Sequence, residues 1–348
     1  MSANLKITAD GQVSMAYAAG TETPWHGMGQ IILPTDSDEI ITKKCGFDFT
    51  LIGETAGYQD AQTGQFVALD SKRIVRRSDS GQPIAVVGSG YKFHQPREIL
   101  GFFLDYAKTF GLKLDTAGVL GDGIRYWAMA RTEVEADLNG AGVDIAQLYC
   151  LLATSGDGSM TTIADPKAKR VVCNNTWDIA IRDFNAANKK GGKARGSRQS
   201  HRSAFSATEA ANGLGFNIET SASAFLAQAE VIRSLNSVKV NERMADGFFR
   251  TLLRPSLAPE GVMSAEDFLV AFDSSKEREV RGFGELKDAY VNAPGARPGT
   301  ARGLWEAVTN FIDHKRGDDA SARLDSSLFG QGKKIKDQAW DNVLVLTR

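Results

Sequence analysis

The sequence predicts an α+β protein, with antiparallel strand meanders and packed helices in strand-strand-strand-helix units, followed by a mainly helical C-terminal region. Three observations lead there. Short β-rich runs bounded by turn residues occur in two groups between residues 47 and 163. Each group is followed by a stretch with helical signals. Beyond a polar, basic stretch ending near residue 203, the apolar residues recur at helical spacing.

In chain order, residues 1–45 read as a loop-rich arm, since Gly20, Pro24, Gly27, Gly29 and Pro34 interrupt it. An α+β core is expected over 46–184. Its first strands are Phe47–Ile52, Gln65–Leu69, Arg73–Arg76 and Ile84–Val87, with turns at Thr63–Gly64 and Asp79–Pro83. A helix is expected over Gln95–Phe110, where Ile99, Phe102, Phe103, Tyr106 and Phe110 fall on one face and Gly111 ends it. The second β group is Leu112–Val119, Arg125–Ala130, Ile145–Ala153 and Met160–Ile163, with Asp122–Gly123 and Asp157–Gly158 as hairpin turns. Asn174, Asn175 and Thr176 then read as the cap of a helix through Trp177 and Ile181. Residues 185–203 are expected to form a basic mobile loop, being polar, glycine-containing and nearly free of apolar residues. The helical region, 204–348, carries predicted helices over 204–213, 222–235, 242–253, 265–283 and 301–312, with a loop at 289–298 around Pro294 and Pro298.

Composition narrows the function classes. The 348 residues carry 41 Lys+Arg against 42 Asp+Glu, a net charge of -1, with 42% hydrophobic residues. This balance suits a globular chain and excludes wholesale disorder or a uniformly basic coat. No apolar run approaches the roughly 20 residues of a membrane-spanning helix, and the N-terminus lacks the pattern of a secretory signal. Cys45, Cys150 and Cys173 make neither a disulfide framework nor a paired-cysteine metal knuckle. A cytoplasmic protein with reduced thiols is expected.

Charge segregation is the strongest local signal. Between Ala164 and Arg202 lie ten bases (Lys167, Lys169, Arg170, Arg182, Lys189, Lys190, Lys193, Arg195, Arg198 and Arg202), opposed only by Asp165, Asp178 and Asp183. From Asn185 to Arg202 there are six bases and no acid. Such a run neutralises phosphates and releases condensed counterions. Trp177, Phe184 and Phe205 lie nearby in sequence as stacking faces. The plainer alternative is a solvated loop that serves solubility or meets an acidic protein. Asn174, Asn175 and Thr176, at an expected helix start, offer donors to a phosphate, or simply cap a strand-to-helix junction. Tyr91 with Lys92 and Phe93 offers an aromatic-plus-cation surface, against which stands ordinary core packing. Gly88-Ser-Gly90 lacks the spacing of a phosphate loop.

Nucleophilic and metal chemistry have little support. Cys173 follows two valines and reads as a buried small hydrophobe, although a hydrolase with His26 or His201 as base is the alternative. His26, His94, His201 and His314 show no metal-ligand spacing, so neither a metal nor a cofactor is expected, and no catalytic residue is assigned.

Several stretches together resemble one family. They are Pro24–Gly29 (PWHGMG), Val87–Gln95 (VGSGYKFHQ), Thr116–Gly123 (TAGVLGDG) leading into Arg125–Ala128, and Arg170–Thr176 (RVVCNNT) with a following His201–Arg202. Trp305–His314 and Phe329–Gly332 complete the set. In order and spacing they resemble the phage and plasmid proteins of domain-of-unknown-function family 932, over roughly residues 24–340. Trp177 departs from the small or aliphatic residue expected after the Asn-Thr pair. The resemblance implies a mobile-element accessory protein and carries no activity with it. Its strand-strand-strand-helix units are similar to those of single-strand annealing recombinases of the Redβ and Rad-fifty-two-like class. That likeness implies a homo-oligomer, with Trp25 either an intersubunit anchor or folded back on its own core.

The expectation that follows is a DNA-associated protein binding single-stranded DNA in a basic groove and promoting strand annealing as a homo-oligomer, with no membrane partner. The expected contacts are Lys167, Lys169, Arg170, Arg182, Lys189, Lys190, Lys193, Arg195, Arg198 and Arg202, with Asn174, Asn175 and Thr176 as phosphate donors and Tyr91 and Trp177 as stacking faces. A non-enzymatic module acting on a host protein is the second reading. A metal-dependent nuclease or hydrolase is the third, and it lacks a clustered carboxylate-and-histidine pattern.

Overall fold

The computed structural model describes residues 14–20, 29–170, 176–178, 197–254, 256, 264–275, 280–317 and 319–347. Two sheets, antiparallel throughout except for one short parallel pair, and a helical C-terminal region make up the α+β fold.

The arm read as loop-rich contributes ordered elements. β1 (Met15–Ala18) and β2 (Gln30–Ile32) pair in parallel, and β1 joins the main sheet antiparallel to β6. Strands of four and three residues between glycines carry too little periodicity to be seen in sequence. Helix α1 (Asp38–Lys44) starts at Ser37, whose side chain accepts from the Ile40 amide, with Asp38 and Glu39 in its first turn.

A three-stranded sheet follows, formed by β3 (Leu51–Gln59), β4 (Phe66–Arg77) and β5 (Pro83–Gly88). The two runs expected at 65–69 and 73–76 are one strand, because Asp70, Ser71 and Lys72 continue it in solvent, where polar residues cost nothing. Helix α2 (Pro96–Thr109) opens on proline, and its buried face, including Ile99, Leu100, Phe103 and Leu104, packs on the main sheet.

The main sheet has eight strands in the order β10-β9-β8-β7-β6-β1-β2, with β11 also on β9. Its central meander is β6 (Lys113–Leu120), β7 (Arg125–Asp137), β8 (Ile145–Ser155) and β9 (Thr162–Arg170), each antiparallel to the next. Ten consecutive residues of β8, 146–155, are buried because both sheet faces are covered. One face meets α2 and Phe47. Met15, Trp127, Tyr149 and Leu151 lie on the other, under Leu324 and Phe329.

The residues expected to begin a helix at Thr176 are instead strand β10 (Thr176–Asp178), pairing with Lys167–Lys169. β11 (Ser197–Gln199) pairs with Thr162–Ala164 on the same edge of β9.

Helix α3 (Ala207–Ser234) joins the two helices expected at 204–213 and 222–235 into one of 28 residues. α4 (Glu242–Leu253) is capped by Asn241 and packs on α5 (Ala265–Ser275). Their approach requires glycine, since a Cβ on Gly247 would lie 1.8 Å from the Phe268 carbonyl oxygen. α6 (Phe283–Asn292) occupies part of the expected loop at 289–298. α7 (Ala301–Asn310) runs into a π-turn (Phe311–Lys315) and is followed by α8 (Ala320–Phe329) and α9 (Gln331–Val345). Phe225, Phe248, Phe249, Trp305 and Trp340 belong to the core of this region, which is continuous with Leu138, Ala146, Leu148 and Ala168 of the sheet end.

Candidate nucleic-acid interface

β9 gathers the charged side chains that period-two alternation places on one face of the sheet. Lys167 lies opposite Tyr149, and Arg198 of β11 lies opposite Ile163. Directly opposed residues share a face, and so do residues two apart, so Ile163, Asp165, Lys167, Lys169 and Arg198 project together. β11 and β10 pair with 162–164 and 167–169, leaving Asp165 and Pro166 between them, where proline has no N–H for a ladder. The chain thus leaves β10 at residue 178 and returns on β11 at residue 197, both against the same strand.

The bases differ in how available they are. The Arg198 side chain is 58% exposed, its guanidinium 3.7 Å from Asp165. Lys169 is partly buried, 4.0 Å from Asp115 and 5.9 Å over the Tyr149 ring. Arg202 is exposed and has no ion pair among the described residues. Lys167 departs from the expectation. It is only 3% exposed, so its ammonium is inside the protein and not on a phosphate-facing surface. Arg170 ends β9 with its side chain outside the described residues, as are the side chains of Thr176 and Trp177. Asn174, Asn175, Arg182, Lys189, Lys190, Lys193 and Arg195 lie outside the described residues. With Thr176–Asp178 in a strand, the phosphate site expected at a helix start there loses its helix.

Tyr91 also departs from the role of an open stacking face. Its ring stacks on His201 with centroids 4.6 Å apart, and its hydroxyl donates to the Ser155 carbonyl at 3.1 Å. Burial pushes the phenol above its ordinary range. This contact is part of a histidine network that sequence reasoning missed. The His94 and His201 rings lie 4.2 Å apart, both buried. His94 Nε2 donates to the Ser203 carbonyl at 3.0 Å, so its Nδ1 accepts the Thr162 hydroxyl at 2.6 Å. Thr154 meets Thr162 at 2.6 Å, and His201 Nδ1 meets the Lys92 carbonyl at 3.0 Å. The network ties the segment following β11 to β8, β9 and the loop before α2. Burial holds both histidines below their ordinary range, and His94 further lowers His201, while Glu98 and Asp157 oppose the shifts. In the sequence, its one signal is that His94 and His201 both fall within the family-like motifs.

Other chemistry finds little footing. Cys45 and Cys150 are buried, and burial pushes the Cys150 thiol up to about 12 and raises Cys45 as well, so neither is an activated nucleophile. Cys173 lies outside the described residues. No group of three metal-ligating side chains occurs among the described residues, and no described helix is long and apolar enough to cross a membrane.

No curated protein and no solved structure matches this chain. The family model described as "Domain of unknown function (DUF932)" matches residues 83–340, which span β5, α2, the whole β6–β9 meander, the β9 edge and most of the helical region. With well over half the chain matched, the protein belongs to the DUF932 family.

Proposed function

We propose that this protein binds single-stranded DNA on the sheet edge formed by β9, β10 and β11 and through the basic stretch that departs from and returns to it. The observation that carries this reading is the pairing of β10 and β11 with one strand. It ties both ends of segment 179–196, which carries Arg182, Lys189, Lys190, Lys193 and Arg195, to an edge that presents Arg198 and Lys169. Phosphate neutralisation there needs no catalytic residue, and it brings two polyanions close enough for complementary bases to test pairing. Strand annealing by a homo-oligomer, in the setting of a mobile element, is the finer form of the proposal. The β3–β4 hairpin supports the oligomer, since it exposes Tyr58, Val67 and Leu69 on one face, an apolar surface suited to a second copy.

The test is fluorescence anisotropy of a labelled ~30-nucleotide single strand, titrated at several salt concentrations, with the mass of the free protein read by light scattering. The expected result is salt-dependent binding that prefers the single strand to its duplex. Replacing Lys189, Lys190, Lys193, Arg195 and Arg198 with alanine should weaken binding. The same variant should flatten the log–log salt slope by about 0.7 for each phosphate it no longer neutralises. Unchanged affinity and slope in that variant overturn the proposal.

A further inference from the structure

A cavity of about 660 Å³ opens among the C-terminal helices, lined by none of the residues of the β9 edge. Its volume is in the range of small-molecule sites. Its floor is apolar, formed by Phe311, Ile312 and Ile335, all buried, with Leu253 beside them. Four bases face it: Arg281, Lys315, Arg316 and Arg323. Two carboxylates oppose them, Glu285 and Asp319, the second of which caps α8 by accepting from the Ala322 amide at 2.7 Å. Lys315 pairs with Asp288, whereas Arg281 and Arg316 have no ion pair among the described residues.

The wall carrying Arg316 is held in place from two sides. The Arg316 amide donates to the Phe311 carbonyl at 2.8 Å, the five-residue spacing of a π-turn, a distortion found often at functional sites. Behind this turn, buried Asp313 accepts from Lys336 Nζ at 2.9 Å and from the Ser327 hydroxyl, and Lys336 also reaches Ser327 at 2.8 Å. On the cavity side, Arg323 donates to the carbonyls of Arg316 at 3.0 Å and Gly317 at 2.5 Å. Arg316 and Arg281 therefore line the cavity together with its apolar floor, the first on a fixed backbone, with Ser326 and Gln331 as polar lining. Guanidinium groups match phosphate oxygens bidentately, and an apolar floor suits the face of a planar ring.

We infer that this cavity binds a nucleoside phosphate, its phosphate held by Arg316 and Arg281 and its base laid on the Phe311–Ile312–Ile335 floor. The phosphate is that of a free nucleotide or of the 5′ end of a DNA strand.

Isothermal titration of the full chain with AMP, adenosine and inorganic phosphate tests this. AMP should bind at least tenfold more tightly than adenosine, as charge-assisted hydrogen bonds to the phosphate require. Arg316→Gln and Arg281→Gln should each weaken AMP about tenfold without moving the thermal midpoint, while Lys72→Gln, on the exposed β4, should leave it unchanged. Absence of AMP binding at millimolar concentration, or unaltered affinity in both cavity variants, overturns the site. A 5′-phosphorylated oligonucleotide that outbinds its 5′-hydroxyl twin, and is displaced by AMP, assigns the strand end. AMP binding with no such preference assigns the free nucleotide. The 5′-hydroxyl strand also separates this inference from the β9-edge reading: Arg316→Gln should bind it normally, and the five-alanine variant should bind AMP normally.

Discussion

Arg302 and Arg198 each face an aspartate, and their surroundings give the two contacts opposite roles. Arg302, at the start of α7, is fully buried. Its Nε donates to Glu306 at 2.6 Å, Nη1 to the Leu138 carbonyl at 2.6 Å and Nη2 to Asp144 at 2.5 Å, while Arg297 also reaches Asp144 at 3.1 Å. That fork joins the helical region to the loop between β7 and β8. Arg198, on β11, is largely in solvent and meets Asp165 at 3.7 Å. A buried charge must keep its partners, because losing one leaves an ion with no water to replace it. An exposed pair is worth little to stability, so its arginine is available to a ligand.

The comparison is broken most directly by Arg302→Ala, which should destabilise the fold by about 3–5 kcal/mol through the carboxylates it abandons. A denaturant midpoint that hardly moves would mean the buried fork is not holding the two regions together. Of intermediate size is the pH dependence of the histidine network. Both folded-state values are below the ordinary one, so the unfolded chain binds more protons as pH falls through the ordinary value near 6.5. Stability from this network is present above that value and lost below it, so the thermal midpoint should drop between about pH 7.5 and 5.5. His201→Gln should flatten that drop, and an unaltered profile in the variant would remove His201 from the account. The smallest stability effect belongs to Arg198→Ala, below about 1 kcal/mol. Asp165→Asn sharpens the contrast, since it leaves Arg198 in place and removes its competitor. Single-strand affinity measured by anisotropy should rise in Asp165→Asn and fall in Arg198→Ala.

Much of the fold was legible because the relevant signals are local. The α2 face built from Ile99, Phe103 and Tyr106 falls at helical spacing whatever it packs on, and the helix expected over 242–253 coincides with α4. The missed elements are those decided by neighbours. β1 and β2 are strands because β6 offers an edge, and Thr176–Asp178 is a strand because β9 does. α8 and α9, which close the far face of the sheet and the cavity, are the exception: Ile335, Ala339, Trp340 and Val343 of α9 fall at helical spacing, so its signal was present in the sequence. In the candidate interface, the identity and crowding of the bases were readable. The burial of Lys167 and the engagement of Tyr91 by His201 were not, since both depend on what crosses over them in space.

The chain alone therefore settled the α+β class, the strand runs and turns of the meander and the segregation of charge around residues 164–202, because each follows from side-chain type at short spacing. Which bases face water, which histidines meet and where a basic cavity opens were decided only on folding. Those properties depend on contacts such as Arg302 with Leu138 and Lys336 with Asp313, between residues distant in the chain, whose burial sets whether a charge is a fold contact or a binding group.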